Sequence, residues 1–381
     1  MKSFSVIILG GGPAGTATAL ALLNYGYSVL ILERSQYEDW RVGETLPPHA
    51  QTLLSSLGVW DRFLQNGHLP SAAIHAAWGS AHLYETHFIF NPYGPGWHLD
   101  RKRFDAMLAL AAEDAGATLL RDTRVTRVSY NTQGWQMLIQ NGETPLCLEA
   151  SFLVDATGRS SWLARSLGRK RISYDTMIGL VGVLRPQTSR TSVDSVLQLE
   201  AAEEGWWYSA PVPDGSLIVT YLTDRDYLTR SGLERNAAKH LSIFPTHFWL
   251  SKLECTGHTV ARSRGFQIEG DVRVRSASTY RLDRPAGDGW VAVGDAVSTY
   301  DPLSAEGVCK AIRSGLNAAE TIHHYLMGNT EILHAHMLEV AKEFENYLAQ
   351  RVQYYRREMR WPTSLFWGRR QTNPLNLELE A

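Results

Sequence analysis

The chain has 381 residues, of which 44% are hydrophobic and 10% aromatic, enough to bury a sizeable core and to hold two modules of ordinary size. Lysine and arginine number 37 against 39 aspartates and glutamates, so no long-range field gathers nucleic acid or an anionic membrane, and neither is expected as a partner. Cys147, Cys255 and Cys309 lie far apart, outside any CxxC or Cys/His cluster. That argues against a disulfide framework and a zinc site, leaves no metal expected, and fits a reducing cytoplasm.

Ser5 to Leu9 is a continuous apolar run broken at Gly10-Gly11-Gly12-Pro13. It reads as a buried parallel strand and not as a targeting segment, because a signal core needs about 7–15 unbroken apolar residues. Ala14 to Tyr25 follows as a helix, and Ser28 to Leu32 as a second strand ending in Glu33-Arg34. Together they complete a strand, helix, strand unit. Phe104, Leu108 and Ala111 are spaced for a helix over Leu99 to Ala115. Leu119 to Tyr130, Gln136 to Gln140 and Phe152 to Asp155 read as strands. From about Arg171 to Leu250, aromatic and β-branched runs such as Ser216 to Thr223 alternate with turn signals, as in a separate antiparallel layer. Trp290 to Asp295 returns to the grammar of the start, and a mostly helical tail follows with Asn329 as N-cap and Pro362 as stop. No stretch reaches about 18 uncharged apolar residues, so no spanning helix is expected.

Gly10-x-Gly12-x-x-Gly15 directly follows the first strand and, with Pro13 and Ala14, opens the first helix. There a glycine turn lets backbone approach a pyrophosphate at the helix N-terminus. Glu33, followed by Arg34, ends the second strand, where a carboxylate can accept hydrogen bonds from a ribose hydroxyl. The glycines leave NAD and FAD equally open.

Gly287-Asp288-Gly289-Trp290-Val291-Ala292-Val293-Gly294-Asp295-Ala296 resembles the second flavin-binding motif of FAD monooxygenases, which implies that Asp295 approaches the ribityl and pyrophosphate. Asp301-Pro302-Leu303-Ser304-Ala305-Glu306-Gly307-Val308 is similar to the family's turn into a helix whose N-terminal amides face the flavin ring. Val154-Asp155-Ala156-Thr157-Gly158-Arg159, Trp97-His98-Leu99-Asp100-Arg101 and Arg41-Val42-Gly43-Glu44 resemble the geranylgeranyl-reductase and flavin-halogenase branch. The resemblance implies FAD as cofactor. Gly10, Gly12, Pro13, Ala14, Gly15, Glu33, Arg34, Arg41, Arg101, Val125, Asp295, Pro302, Ser304, Gly307 and Val308 are the expected binding residues. It also implies an α/β fold: a glutathione-reductase-like Rossmann FAD-binding domain over 1–170 and 271–330, an inserted antiparallel β-sheet substrate domain over 171–270, and a helical C-terminal tail over 331–381. With one glycine-rich unit, reducing equivalents must come transiently from NAD(P)H or from a separate reductase.

Within that branch, halogenases carry a substrate-side lysine and a Trp-x-Trp-x-Ile-Pro wall. Here no lysine occurs from Ser3 to Arg101, and the wall reads Trp206-Trp207-Tyr208-Ser209-Ala210-Pro211. Gly43 to Pro48, Gly205 to Pro211 and Arg360 to Arg370 resemble flavoproteins that modify a tryptophan of a partner polypeptide during maturation of cysteine tryptophylquinone enzymes. The resemblance implies an FAD-dependent monooxygenase acting on an aromatic ring, with a quinone-enzyme precursor as protein substrate. Trp206, Tyr208 and Pro211 would shape the passage and Glu44 would manage a proton. Arg41 and Glu44 read equally as an exposed loop ion pair. Glu306 stands where the family more usually has a neutral amide. His98 reads as structural. Tyr354, Tyr355, Arg356, Arg357, Trp361 and Trp367 offer anchors for a partner, or for packing of the tail itself. A small-molecule aromatic hydroxylase, an isoprenoid reductase with a long apolar tunnel, and a non-catalytic flavin-bound scaffold are the rival readings.

Overall fold

The computed structural model describes residues 2–132, 134–142, 144–230 and 243–372; parts of the expected middle range (231–242) and tail (373–381) lie outside the described residues. Strand β1 (Lys2–Leu9), helix α1 (Pro13–Asn24) and strand β2 (Val29–Leu32) form the first unit. Val6 to Leu9 and all of β2 are buried, as parallel strands covered on both faces require. After β3 (Ala73–Ala77) and β4 (Tyr84–His87) comes α2 (Arg101–Asp114), whose start is fixed by Asp100 accepting from the backbone N–H groups of Lys102 and Arg103. Strands β5 (Thr118–Leu120), β6 (Thr123–Asn131), β7 (Gly134–Asn141) and β8 (Thr144–Asp155) follow. Strands β8, β1, β2 and β5 lie side by side and parallel, with β7 and β6 added as an antiparallel flap on β8.

A second sheet is built from β9 (Met177–Pro186), β10 (Val196–Ala202), β11 (Gly205–Pro211), β12 (Leu217–Asp224) and β13 (Val272–Ser276), in the order β13, β9, β12, β11, β10 with every neighbour antiparallel. It also takes in β3, parallel to β10, and then β4, so a segment from the first hundred residues completes a layer expected from the middle of the chain. Ala73-Ile74-His75-Ala76-Ala77 carries little β-branched character, and its strand conformation comes from pairing rather than from propensity.

Strand β14 (Trp290–Ala292) returns to the first sheet beside β8 and parallel to it. Helix α3 (Gly307–Leu326) then crosses α1 so closely that a Cβ on Gly315 would lie 2.5 Å from the Ala14 carbonyl oxygen. The tail is α4 (Ile332–Arg356) and α5 (Leu365–Gln371). Two expectations about it fail. Asn329 caps nothing: it lies in the turn leaving α3, its N–H bonded to the His324 carbonyl, and Glu331 precedes α4. Pro362 is not the stop either, because α4 has already ended by Arg357, letting the chain turn so that Trp361 stacks on Trp367.

Tyr355, Phe366 and Trp367 pack with Trp78 and Trp206 in one aromatic cluster that fastens the tail to the second sheet. Tyr355 and Trp367 are therefore core residues and not free anchors, whereas Tyr354, Arg356 and Arg357 remain exposed. The three cysteines are unpaired, Cys309 buried and the others exposed. Among the described residues no helix is long and apolar enough to cross a membrane.

Candidate functional site

A cavity of about 1410 Å³ lies between the strand ends of the first sheet and one face of the second. Of the site residues expected from sequence, all line it except Gly15 and Pro211. Gly15 serves the turn instead: a Cβ there would lie 2.0 Å from the Gly10 carbonyl oxygen. Gly10 holds φ +110 with the Ala156 carbonyl 2.3 Å from where its Cβ would be, a position open only to glycine. Gly12 differs from both, since a Cβ on it would meet nothing within 4 Å. It precedes α1, and no side chain caps that helix N-terminus.

Glu33 is buried. Its Oε2 accepts from the Gly11 N–H at 2.8 Å, and its Oε1 from the Ser35 N–H and hydroxyl at 3.0 and 2.6 Å. Arg41 reaches Asp105 at 2.9 Å and Glu33 at 3.5 Å, while Arg101 grips the same buried Asp105 and donates to the Val42 carbonyl at 2.6 Å. The exposed Arg41–Glu44 ion pair is thus not formed. Arg34 and Val125 complete this end of the cavity.

At the other end, Asp295 receives Lys310 Nζ at 3.0 Å and lies 3.5 Å from Arg159. Burial alone would raise its pKa, but the two cations hold the carboxyl below its usual range. Lys310 was not foreseen. Buried in the first turn of α3, it also donates to the Ser298 carbonyl and sits over the Tyr300 ring. The signal was present in Val308-Cys309-Lys310-Ala311-Ile312, a lone charge in an apolar run. Pro302, Ser304, Gly307 and Val308 line the cavity, whereas Glu306 does not; its carboxylate pairs with His49 at 3.2 Å.

On the second sheet, strand alternation turns Trp206 and Tyr208 toward the cavity and Trp207 away, onto Trp249 and Tyr221. Pro211 ends β11 opposite Leu217 and lies outside the lining, so it does not shape the passage. Trp206 is held by its indole N–H, which donates to the Tyr355 hydroxyl at 3.0 Å. Glu44 is buried at the cavity wall; Oε2 accepts from the Gly43 N–H at 2.8 Å and Oε1 has no well-formed hydrogen bond, with the Tyr208 phenol as its neighbour. Burial pushes the Glu44 pKa up, and burial together with Glu44 pushes Tyr208 well above the phenol range. His98 is buried with both ring nitrogens unpartnered, away from the cavity lining.

An uncapped helix N-terminus beside Gly12, an acidic group at the end of β2 and a second helix N-terminus at Gly307, where a Cβ would also meet nothing, fit a flavin dinucleotide. The profile of a family described as an FAD binding domain matches residues 3–336. The chain belongs to this family. The flavoprotein is an FAD-dependent oxidoreductase, and it is 28% identical to the putative FAD-dependent oxidoreductase LodB of Marinomonas mediterranea, the match covering 97% of each chain. Among solved structures it is similar to the flavin-dependent halogenase CmlS, with a TM-score of 0.84 and 24% identity over all of this chain and 70% of that one. It is also similar to the peptidyl tryptophan dihydroxylase QhpG, essential for tryptophylquinone cofactor biogenesis, with a TM-score of 0.71 and 23% identity over 97% of this chain and 79% of that one.

Proposed function

We propose that this oxidoreductase is a monooxygenase that hydroxylates a tryptophan in a partner polypeptide, as a step toward a quinone cofactor such as cysteine tryptophylquinone. The observation that carries the reading is Glu44, a buried carboxyl whose Oε1 has no well-formed hydrogen bond beside Tyr208, in the wall of a cavity larger than the about 300–1,000 Å³ of ordinary ligand sites. That volume leaves space for an aromatic ring next to the cofactor. The fold shared with QhpG, a peptidyl tryptophan dihydroxylase, supports the substrate class.

Gly10, Gly12, Pro13 and Ala14 would hold the FAD pyrophosphate at the start of α1, Glu33 the ribose, and Asp295 with the turn from Pro302 to Val308 the ribityl and ring. Bound FAD, reduced by NAD(P)H or a separate reductase, supplies the electrons that activate oxygen. Trp206, Leu199 and Leu222 present an apolar wall that excludes water from the reacting ring. Glu44, whose pKa burial raises, is placed to move a proton during oxygen insertion. Arg273 and Arg275 also line the cavity, which counts against the long apolar tunnel of an isoprenoid reductase.

The test is to express a candidate quinone-enzyme precursor with and without the flavoprotein and to weigh its tryptophan-containing peptide. Oxygen insertion that depends on the flavoprotein, without halogen in the presence of chloride or bromide, is expected. Rapid hydroxylation of free aromatics with no change in the precursor would move the assignment to small-molecule hydroxylases, and an absence of NAD(P)H-dependent oxygen consumption with the partner would favour a scaffold.

A further inference from the structure

The register of the second sheet arranges its cavity face in two rows. One row runs Arg273, Val181, Thr220, Tyr208, Leu199 across successive strands, and the next runs Arg275, Gly179, Leu222, Trp206. All of these side chains, with glycine as the gap at 179, line the cavity. Tyr208, beside Glu44, and Trp206 thus lie three strand steps from the two arginines, or about 14 Å at roughly 4.8 Å per step.

Neither arginine has an ion-pair partner among the described residues. Arg273 sits over the Trp40 ring at 5.0 Å, and Arg275 donates to the Val274 carbonyl at 3.0 Å. Burial, and then the adjacent Arg273, lower the Arg275 pKa, so each guanidinium stands in the other's repulsion. Two forked donors on one face, part-buried and lacking a counter-ion, are the arrangement that takes up a carboxylate. The cofactor has no need of them if its pyrophosphate lies at α1 and its ribose at Glu33.

We propose that Arg273 and Arg275 form an anion subsite that selects an acidic side chain of the polypeptide substrate, near in sequence to the tryptophan presented at Tyr208. This rests on the reading of a polypeptide substrate given above. At about 3.3 Å per extended residue, and with the reach of an arginine side chain, the spacing places the acidic residue about three positions from the tryptophan.

The probe is a pair of peptides, Ac-Trp-Ala-Ala-Glu-NH2 and its Gln counterpart, titrated into the FAD-loaded protein while the flavin absorbance is followed. The Glu peptide is expected to bind about tenfold more tightly. R273Q/R275Q is expected to lose that preference with FAD affinity unchanged, and R273K/R275K to keep part of it. Equal binding of the two peptides by the parent protein, binding of neither, or a preference that survives in R273Q/R275Q overturns the proposal. If R273Q/R275Q instead raises the KM for NADPH in flavin reduction while the peptide preference stays, the pair holds a nucleotide phosphate and the proposal falls. Binding is read separately from chemistry, so an acid preference without oxygen insertion into any precursor supports the subsite and removes the hydroxylase reading.

Discussion

Tyr355, near the end of α4, donates a 2.8 Å hydrogen bond to Oδ2 of Asp301, which opens the turn into α3. The same phenol oxygen accepts from the Trp206 indole, so one buried hydroxyl ties the tail to the cavity wall and to the flavin-side turn. Tyr355→Phe keeps the ring and removes both bonds, leaving a buried indole N–H without an acceptor while Arg351 still reaches Asp301 at 3.2 Å. A loss of about 1–3 kcal/mol in urea unfolding is expected. Unchanged stability would show that the network contributes nothing beyond packing.

Gly12 and Gly15 lie three positions apart and should fail differently. A Cβ on Gly12 enters open cavity, so Gly12→Val is expected to fold normally and to lose FAD binding, seen as a colourless purified protein that unfolds like the FAD-free parent. Gly15→Ala meets the Gly10 carbonyl at 2.0 Å and is expected to lower stability itself, by about 1–3 kcal/mol. A yellow Gly12→Val protein with parental flavin affinity would remove the assignment of the α1 turn.

Much of the first sheet was legible because parallel strands buried on both faces write unbroken apolar runs, as at Val6 to Leu9, and glycine turns write themselves at Gly10 to Gly15. What was hidden depends on distant pairing. Ala73 to Ala77 becomes a strand through its partner β10, and Arg273 and Arg275 acquire meaning only when the register places them in rows with Tyr208 and Trp206. Lys310 was passed over because a lysine in a helix usually faces water, and the carboxylate and carbonyl that receive it come from residues a dozen or more positions away. Pro211 was over-read, since strand alternation alone put it on the opposite face from Trp206 and Tyr208.

His98 gives the protein a specific acid sensitivity. Burial lowers its pKa from 6.5 to about 3, with Arg262 adding to the effect. The folded value lies below the unfolded one, so the unfolded chain binds the proton more readily; stability is full above about 6.5 and is lost as pH falls toward 3, by up to about 1.4 kcal/mol per pH unit. His68 and His336, lowered to about 4, act in the same direction. His98→Leu is expected to flatten the acid limb of a plot of urea midpoint against pH. Parallel limbs for the two proteins would mean that His98 is not protonated on unfolding.

Glu44→Gln tests the proton role most directly. The amide keeps the size of the carboxyl and an oxygen for the Gly43 N–H, so the fold and FAD affinity should not change. The ionisable proton is lost. Because burial raises the Glu44 pKa, the parent carboxyl stays neutral to higher pH than an exposed glutamate, and a proton-donor role predicts activity that is present on the acid side and declines as pH rises through that value. In Glu44→Gln, oxygen insertion is expected to slow on the order of 100-fold, with the alkaline decline abolished, while the rate of flavin reduction remains parental. The measurement is product mass against time at a series of pH values, alongside stopped-flow reduction of the bound flavin. A variant with the parental rate and the parental pH profile would leave Glu44 as a structural carboxyl holding the Gly43 turn, and the proton would have to be carried by another group on that wall, of which Tyr208 is the nearest.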